Sequence, residues 1–394
     1  MTDRAAEFRK WPAAARAWCL ASRASNLARF LLKAPEIVLR RPANPWGYLK
    51  DAEQYADLFA RYPVRPLDAA GVKLGIFRDY NEDYRKYVKA CEELQVGHRV
   101  LDLAASTWME EARASGCCGF ICHPSAFTQP LRAMFEERLG VLARELKRPT
   151  HPRPEELWFY ESKRRMAYWL EANGVPHPET RVFYDRDEAF AFAARADYPL
   201  VCKTDLGSSS SGVAVVRRPA QAYRLVARAF AGGLSGRWRD PRDREWGSVL
   251  FQRYVPNARE YRVIQIGDSW FGHEKIADAR TGLHSGSGQS AWNVPPPEIF
   301  DFCLGIARKG QFEAMDYDVL VDAQGALLIN ELQAVFSAYN PSQMYRDGVP
   351  GRLRHVDGAW RFEEGLFCRN GCANLRVEWL VGKIQAATAS GERT

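Results

Sequence analysis

Residues 198–216 read YPLVCKTDLGSSSSGVAVV, and this stretch decides how the rest of the chain is interpreted. An apolar run ends in Lys203, four serines lie between Gly207 and Gly212, and a second apolar run closes the segment. The two runs predict two strands joined by a loop. Backbone N–H groups of a loop rich in glycine and small residues can approach an anion closely, and the lysine adds positive charge. The stretch therefore predicts a site for nucleotide phosphate.

This phosphate loop differs from the Walker A loop, which needs GK followed by Ser or Thr at the start of a helix. Taken alone, the segment also fits a serine-rich hairpin loop with a structural role. The choice between the two depends on what other charged residues the chain places near a sheet.

A second informative stretch lies at 316–333, DYDVLVDAQGALLINELQ, which predicts a hairpin turned at Ala323-Gln324-Gly325. Asp318 falls in one strand and Glu331 in the other, and Gln333 shares the face of Glu331 because side chains alternate along a strand. Two carboxylates and an amide oxygen are the hard ligands that Mg²⁺ uses. Asp316 shares the face of Asp318 and is an alternative ligand. An exposed strand face without a metal is the structural alternative.

The region from about residue 72 alternates between predicted strands and helices. Strands are expected at 72–78, 98–104 and 117–124, with helices at 79–95, 107–115 and 128–147. This alternation predicts a small parallel sheet with helices on its faces. The first turn has no GxGxxG motif, so the sequence lacks a dinucleotide-binding fingerprint.

Length and charge limit the overall class of the protein. A chain of 394 residues predicts two or three domains. The net charge is +7, and residues 1–41 hold nine Lys or Arg against three Asp or Glu. The rest of the chain is nearly neutral, which argues against a nucleic-acid-binding protein.

The basic N-terminal segment predicts an amphipathic helix over 12–33. Two interpretations stay open: peripheral contact with an anionic membrane through residues 1–41, or packing of its aromatic side on the protein body. No apolar run is long enough to span a bilayer, and the N-terminus lacks the apolar core of a secretory signal. The expected location is cytoplasmic, with the inner face of the membrane left open. A homodimer is also left open.

The nine cysteines are scattered and odd in number. Without a secretion signal, reduced thiols are expected rather than a disulfide framework. Cys117, Cys118 and Cys122 lie in an apolar run and are interpreted as small apolar residues of a buried strand, with a metal site as the alternative.

Several motifs follow one another in a characteristic order. Ser162-Lys163 heads a helix followed by GVPHPET, then come PLVCK with GSSSSGV, LFQRYV, EYRV and finally the 316–333 hairpin. Their order and spacing resemble the ATP-grasp superfamily, which includes D-alanine–D-alanine ligase, glutathione synthetase and the RimK-type ligases. The resemblance covers roughly residues 70–345.

This resemblance implies an α/β fold that becomes α+β in the C-terminal half. The expected parts are a basic helical extension at 1–68, a Rossmann-like pre-ATP-grasp domain at 69–158, a central lid subdomain at 159–254 and a C-terminal catalytic subdomain at 255–394.

The resemblance also implies roles for individual residues. Lys163 and Lys203 are expected at the phosphates and the adenine side of ATP, and Glu260 at the ribose. The lid loop over the phosphates corresponds to Gly207, Ser208, Ser209, Ser210, Ser211 and Gly212, and the adenine hinge to Gln252, Arg253, Tyr254 and Val255. Arg262 and Lys275 are expected to face the phosphates or an acyl phosphate. Independently of the resemblance, Arg280 follows Lys275 in the chain and could clamp a substrate carboxylate with two hydrogen bonds; an exposed loop arginine is the alternative. Asp318, Glu331 and Gln333 are the expected Mg²⁺ ligands, with Mn²⁺ as a substitute; the family usually has asparagine where Gln333 stands.

The expected reaction is an ADP-forming ligation of a carboxylate to an amine. ATP phosphorylates the carboxylate, and the amine then displaces phosphate, so the protein mainly positions groups and neutralises charge. The expected substrates are a small-molecule or glycan carboxylate and an amine, in cell-envelope polysaccharide or peptide-type biosynthesis. A kinase acting on a hydroxyl with the same fold, and a non-catalytic nucleotide-binding protein, are the alternatives.

Overall fold

The computed structural model describes residues 56–79, 82–124, 128–207, 212–236, 243–277, 290–336 and 343–391. The predicted helix at 12–33, the loop serines Ser208–Ser211 and Arg280 lie outside these ranges. Among the described helices, none is both long and apolar enough to cross a membrane.

The N-terminal half is built on a parallel sheet, as the strand–helix alternation predicts. Its strands have the order β2-β1-β3-β4, and β1 pairs in parallel with both β2 and β3. Its elements are α1 (Ala56–Arg61), β1 (Lys73–Phe77), α2 (Tyr84–Leu94), β2 (Gly97–Leu101), α3 (Trp108–Ala114), β3 (Gly119–Ile121), α4 (Gln129–Arg144), β4 (Thr150–His151) and α5 (Pro154–Leu157). Leu74, Ile76 and Phe77 of β1 are fully buried, because helices cover both faces of such a sheet.

An antiparallel lid sheet follows, with the strand order β5-β8-β6-β7. Its region contains α6 (Lys163–Ala172), β5 (Thr180–Phe183), α7 (Arg186–Arg195), β6 (Leu200–Lys203), β7 (Val213–Val216), α8 (Pro219–Ala231) and β8 (Val249–Arg253). The strands β6 and β7 form the hairpin expected at 198–216, with Lys203 opposite Val213. Apolar side chains of α7, α8 and these strands share one core, including Ala189, Val226 and Phe251.

A larger antiparallel sheet forms the third part, in the order β13-β12-β9-β10-β15-β14, with β11 paired to β10 and β16 to β15. Its elements are β9 (Arg259–Ile266), β10 (Ser269–Lys275), β11 (Ser290–Ala291), α9 (Pro297–Gly310), β12 (Ala314–Val321), β13 (Leu327–Gln333), β14 (Met344–Arg346), β15 (Val349–Val356) and β16 (Ala359–Glu364). The expected α/β class with an antiparallel C-terminal half is confirmed.

One face of this large sheet packs against helices, and this decides where its charges lie. Met315, Tyr317 and Val319 of β12 share a core with residues of α9 and α6. Because side chains alternate along a strand, the intervening Asp316 and Asp318 point to the opposite face.

The last helix, α10 (Arg369–Ala389), returns to the first sheet. Val377, Leu380 and Ile384 are buried in one core with Leu74 and Ile76 of β1. The helix lies in the range expected for the C-terminal subdomain, yet it packs on the N-terminal sheet. The boundaries at 68, 158 and 254 stay predictions. Strands β14–β16 and helix α10 were not predicted from the sequence.

The cysteines of the predicted buried strand behave as small apolar residues. Cys117 and Cys122 are buried and Cys118 is half-buried, all as free thiols. In the described ranges, no three His, Cys, Asp or Glu side chains form a group that could hold a metal ion.

Candidate functional site

The outward face of the large sheet carries a row of charged and polar side chains that we name the charged face. Register places Lys275 opposite Glu260 and His273 opposite Arg262 on β10 and β9. On the other side, Arg262 lies opposite Asp318, Asp318 opposite Glu331, and Asp316 opposite Gln333. The charged face therefore consists of Glu260, Arg262, His273, Lys275, Asp316, Asp318, Glu331 and Gln333.

Asp318 forms the centre of the charged face. Arg262 donates two hydrogen bonds to its carboxylate, both of 2.9 Å, and Lys275 Nζ donates a third of 2.8 Å. Burial opposes ionisation of Asp318, but the two cations outweigh burial and lower its pKa. Asp318 is thus a fully buried carboxylate that remains charged.

Glu260 is a second carboxylate that pairs with Lys275. Lys275 Nζ donates to Glu260 Oε1 at 2.5 Å, and Glu260 is only 3% exposed. Burial and the neighbouring Asp318 raise the pKa of Glu260, against the effect of Lys275. Its expected ribose contact stays a prediction, since in this structure the carboxylate is occupied by Lys275.

Asp316 and Gln333 each have a buried side-chain oxygen that accepts no hydrogen bond. Asp316 Oδ1 and Gln333 Oε1 are buried without a hydrogen-bond partner, although Arg262 Nε lies 3.1 Å from Asp316 Oδ1 as an ion pair. Burial raises the pKa of Asp316 to about 8, against the opposing effect of Arg262. Gln333 uses its Nε2 to donate to Glu331 Oε1 at 3.0 Å. Buried oxygens without partners are costly, and a cation bound there would satisfy them.

Two buried lysines approach the charged face from other elements. Lys163, the first residue of α6, lies 3.6 Å from Glu331 Oε1 and donates to the Gly207 carbonyl at 2.6 Å. Lys203, the last residue of β6, donates to Asn330 Oδ1 at 3.0 Å. These contacts connect the lid sheet and its loop with strand β13.

The surroundings shift the pKa values of these two lysines in opposite directions. Burial would lower the pKa of Lys163, but Glu331, Glu161 and Asp205 outweigh it and raise the pKa. Burial lowers the pKa of Lys203 to about 8, because its carboxylate neighbours compensate less. Glu331 shows the reciprocal effect: burial opposes its charge, yet Lys163 and Lys203 help to lower its pKa.

Steric contact and backbone conformation require glycine at the two ends of the lid loop, Gly207 and Gly212. At Gly212 a Cβ would lie 1.8 Å from Thr204 Oγ1, and the Thr204 amide donates to the Gly212 carbonyl at 2.9 Å. Gly207 has φ of 149°, a region that favours glycine. Its amide donates to Glu161 Oε2 at 2.9 Å, so this N–H already has a partner. Ser208–Ser211 lie outside the described residues.

The expected adenine hinge begins in the last two residues of β8, Gln252 and Arg253, and continues into Tyr254 and Val255. The side chain of Gln252 is buried and donates to Thr180 Oγ1 at 3.0 Å, so it is held away from a ligand. Arg253 is exposed, whereas Tyr254 and Val255 are half-buried. Contacts with a base would therefore come from the backbone or from Tyr254.

A polar junction beside the lid was not found from the sequence. Arg164 donates to Asp205 Oδ2 at 3.0 Å and lies 3.5 Å from Glu245 Oε1, while the Asp205 amide donates to Glu245 Oε2 at 2.7 Å. Ser162 Oγ donates to Asp205 Oδ1 at 3.0 Å. This network holds the start of α6 against the lid loop and so positions Lys163.

The structure thus brings Lys163, Lys203, Arg262, Lys275, Asp318, Glu331 and Gln333 to one site. Arg280 and the loop serines lie outside the described residues. His273 was missed, although register could have found it: the two-residue turn Gly267-Asp268 fixes the β9–β10 pairing and places His273 opposite Arg262.

Comparisons with known proteins give matches in structure alone. No family model matches the chain, and no curated protein matches it either. The chain is similar to the biotin carboxylase domain dimer of Hydrogenobacter thermophilus 2-oxoglutarate carboxylase in complex with MgADP, ADP and bicarbonate. That match has 15% identity and a TM-score of 0.49, and it covers 68% of this chain and 65% of that one. The chain therefore spans just under two thirds of that domain's length.

Two further solved structures are similar to the chain. One is a RimK domain ATP-grasp protein from Sphaerobacter thermophilus, at 17% identity and a TM-score of 0.45, covering 67% of this chain and 92% of that one. The other is D-alanyl-alanine synthetase A from Vibrio cholerae, at 13% identity and a TM-score of 0.46, covering 68% and 89%. No residue role is transferred from these proteins.

Proposed function

We propose that this chain is an ATP-grasp enzyme, an ADP-forming ligase that joins a carboxylate to an amine through an acyl phosphate. The observation that carries the proposal is the charged face: buried lysines from the lid side and an Arg–Lys pair from the sheet converge on Asp318 and Glu331. Burying this many charges is costly unless a charged ligand uses them. Strand order supports the proposal too, because the β6–β7 hairpin and the β12–β13 hairpin both occur where the ATP-grasp resemblance expects them.

ATP fits between the lid hairpin and the charged face. Lys163 and Lys203 end next to Glu331 and Asn330, where they can neutralise phosphate oxygens. Arg262 and Lys275 lie further along the same face and suit the transferred phosphoryl group or an acyl phosphate. Fixed cations at such positions stabilise the charge that develops during phosphoryl transfer.

The residues present fit a magnesium ion. The buried, unpaired oxygens of Asp316 and Gln333 lie beside the carboxylates of Asp318 and Glu331, and all are the hard oxygen donors that Mg²⁺ prefers. Among the described residues the carboxylates are not grouped so that they could hold a metal ion by themselves, so the ion would need phosphate and water ligands as well, which Mg²⁺ usually keeps. When bound, the ion would neutralise negative charge on the phosphates of ATP. Mn²⁺ has the same ligand preferences.

The protein's own groups then act by position and charge. Arg262 is anchored by Asp318 and can turn its remaining N–H groups to an incoming carboxylate or phosphate, since a guanidinium has five donors. Lys275 is held by two carboxylates and stays protonated. The charged face thus favours the anionic partners and the acyl phosphate. The identity of the carboxylate, and a role in cell-envelope polysaccharide or peptide-type biosynthesis, stay predictions.

The test is release of ADP and phosphate from Mg-ATP with pooled amino acids and uronic acids, each with and without hydroxylamine as the amine. We expect one pool to give carboxylate-dependent ADP and a hydroxamate, both lost in Glu331→Ala and retained in the control Glu298→Ala on the surface of α9. ADP release that depends on a hydroxyl compound, without hydroxamate, would replace the ligase with a kinase. ATP binding without turnover in any pool would indicate a binding protein.

A further inference from the structure

Three buried polar atoms without hydrogen-bond partners lie on the charged face. Asp316 Oδ1 and Gln333 Oε1 lie on the β12–β13 side and fit the proposed metal. The third is His273 Nδ1, on β10 at the other side of Arg262. Neither the metal nor the nucleotide uses it. A buried polar atom without a partner is costly, so a ligand that pairs with His273 would remove that cost.

The side chain of His273 is buried against an aromatic ring and lies near two cations. The residue is 5% exposed, and its ring packs on the half-buried ring of Trp292 with centroids 4.3 Å apart. Burial lowers the pKa of His273 to about 3; the positive charges of Arg262 and Lys275 add to this, and Asp318 opposes it. The imidazole is therefore neutral, and Nδ1 can accept a hydrogen bond when the proton is on Nε2.

Charge also selects the form in which an acceptor binds here. Arg262 lies opposite His273, and Lys275 is two residues further along the same strand. Asp318 pairs with both cations and Glu260 with Lys275, so the carboxylates nearest to them are already used and an uncharged amine suits this place better than an ammonium group. The aromatic ring of Trp292 gives this amine an apolar wall, and Nδ1 gives its N–H a hydrogen-bond partner.

We propose that His273 and Trp292 form the acceptor subsite, and that His273 Nδ1 takes the proton that the attacking amine loses. This inference rests on the proposed ligase function. The amine nitrogen forms a bond to the acyl carbon, and the bond from that carbon to the phosphate oxygen breaks. The phosphate leaves with the electron pair, and the N–H proton passes to Nδ1 and then to the departing phosphate. The nitrogen becomes strongly acidic as its bond to the acyl carbon forms, so an imidazole whose pKa burial keeps low can still take its proton.

The chain offers a matched control for this role. His355 packs on Trp360 with ring centroids 5.0 Å apart, but the pair lies on β15 and β16, away from the charged face. His355→Gln therefore changes the same kind of His–Trp contact without reaching the site. His273→Gln keeps a polar side chain of similar reach but cannot take up a proton.

The experiment separates the two half-reactions, using the carboxylate identified in the ADP-release assay. Formation of acyl phosphate is followed by scrambling of a labelled β–γ bridge oxygen in ATP, without any amine. Its capture is followed as hydroxamate with hydroxylamine. We expect His273→Gln to keep the scrambling and to lose about 100-fold in hydroxamate formation, the size typical of a lost general base. His355→Gln should keep both activities.

Three other results are decisive. Hydroxamate formation at the wild-type rate in His273→Gln would overturn the acceptor role and leave the ligase proposal standing. Equal loss of scrambling and hydroxamate would show that His273 supports the site as a whole, which also overturns it. Absence of carboxylate-dependent hydroxamate in the wild-type protein would refute the ligase proposal itself, and the acceptor subsite with it.

Discussion

Arg262 and Asp318 face each other across neighbouring strands and are joined by two parallel hydrogen bonds of 2.9 Å. The carboxylate is 1% exposed, whereas the Arg262 side chain keeps 32% of its exposure. This geometry buries the anion and leaves part of the cation available to a ligand. Bidentate pairs of this kind fix the guanidinium in one orientation.

Asp318→Asn should destabilise the fold, because Arg262 and Lys275 would lose their shared anion. We expect a decrease of about 3 kcal/mol in the free energy of unfolding, the lower end for a broken buried pair because Arg262 is partly exposed. Urea denaturation at neutral pH measures it. The control is Asp357→Asn, in an exposed pair with Arg361 and at a positive φ that asparagine also adopts. Equal stability of the two variants would contradict the structural role of Asp318.

Lys203 should make nucleotide binding sensitive to alkaline pH. Burial lowers its pKa to about 8, so the ammonium is charged below that pH and neutral above it. We expect the affinity for Mg-ATP to fall by about tenfold as pH rises through this range, because a charged hydrogen bond to phosphate is lost. In Lys203→Met the affinity should be low throughout and lack this pH dependence.

Titration of a fluorescent ATP analogue at several pH values measures this effect. The control is Lys309→Met, since Lys309 is exposed and contacts only the Asn173 carbonyl among the described residues. A Lys203→Met protein that keeps the full pH dependence would assign the titration to another group.

Glu156 should give the fold a distinct dependence on pH. Burial raises the pKa of this carboxyl to about 7, although the amides of Ala314, Glu313 and Arg153 donate to it. A raised pKa in the folded state means that its stabilising effect is complete below the unfolded pKa and is lost as pH rises through about 7. The difference is roughly 3 kcal/mol for this shift.

We therefore expect the unfolding free energy to fall as pH rises from about 4.5 to about 7 and to level off above that, with a smaller slope in Glu156→Gln. Urea denaturation across this range measures it. Glu155→Gln is the neighbouring control, because Glu155 is exposed and forms an ion pair with Arg153. If both variants show the wild-type slope, another group accounts for the pH dependence.

The parts of the fold that the sequence predicts are those with short-range signals. The 316–333 hairpin combines alternating strands with a Gly325 turn at φ 83°, so the pairing of β12 with β13 next to the turn follows from local pattern. The expected Glu260 contact with ribose stays a prediction. Pairing across the β9–β10 turn places Glu260 opposite Lys275, and the salt bridge then competes with any ligand.

The unpredicted parts depend on contacts between distant segments. Leu380 of α10 is buried against a sheet whose first strand begins about 300 residues earlier, and no local pattern specifies that partner. The register shift between Asp318 and Val319 is similar, since it leaves Asn330 without a partner residue on β12 and pairs Asp318 with Glu331, where regular pairing from the turn would give Asn330. Such irregularities near functional residues follow from tertiary packing rather than from strand propensity.

Gln333 allows a direct test of the proposed metal site. Its Oε1 is buried and unpaired, while Asp316 lies opposite it. Gln333→Leu keeps a similar volume but removes the oxygen, so we expect about tenfold more Mg²⁺ to be needed for half-maximal ATP binding. Gln333→Asn restores an amide one methylene shorter and should fall between the two. Titration of Mg²⁺ at fixed fluorescent ATP analogue gives the values, with Gln324→Leu in the exposed turn as control. A Gln333→Leu protein with the Mg²⁺ requirement of the wild type would exclude this side chain from the metal site and leave Asp316, Asp318 and Glu331 as its candidate ligands.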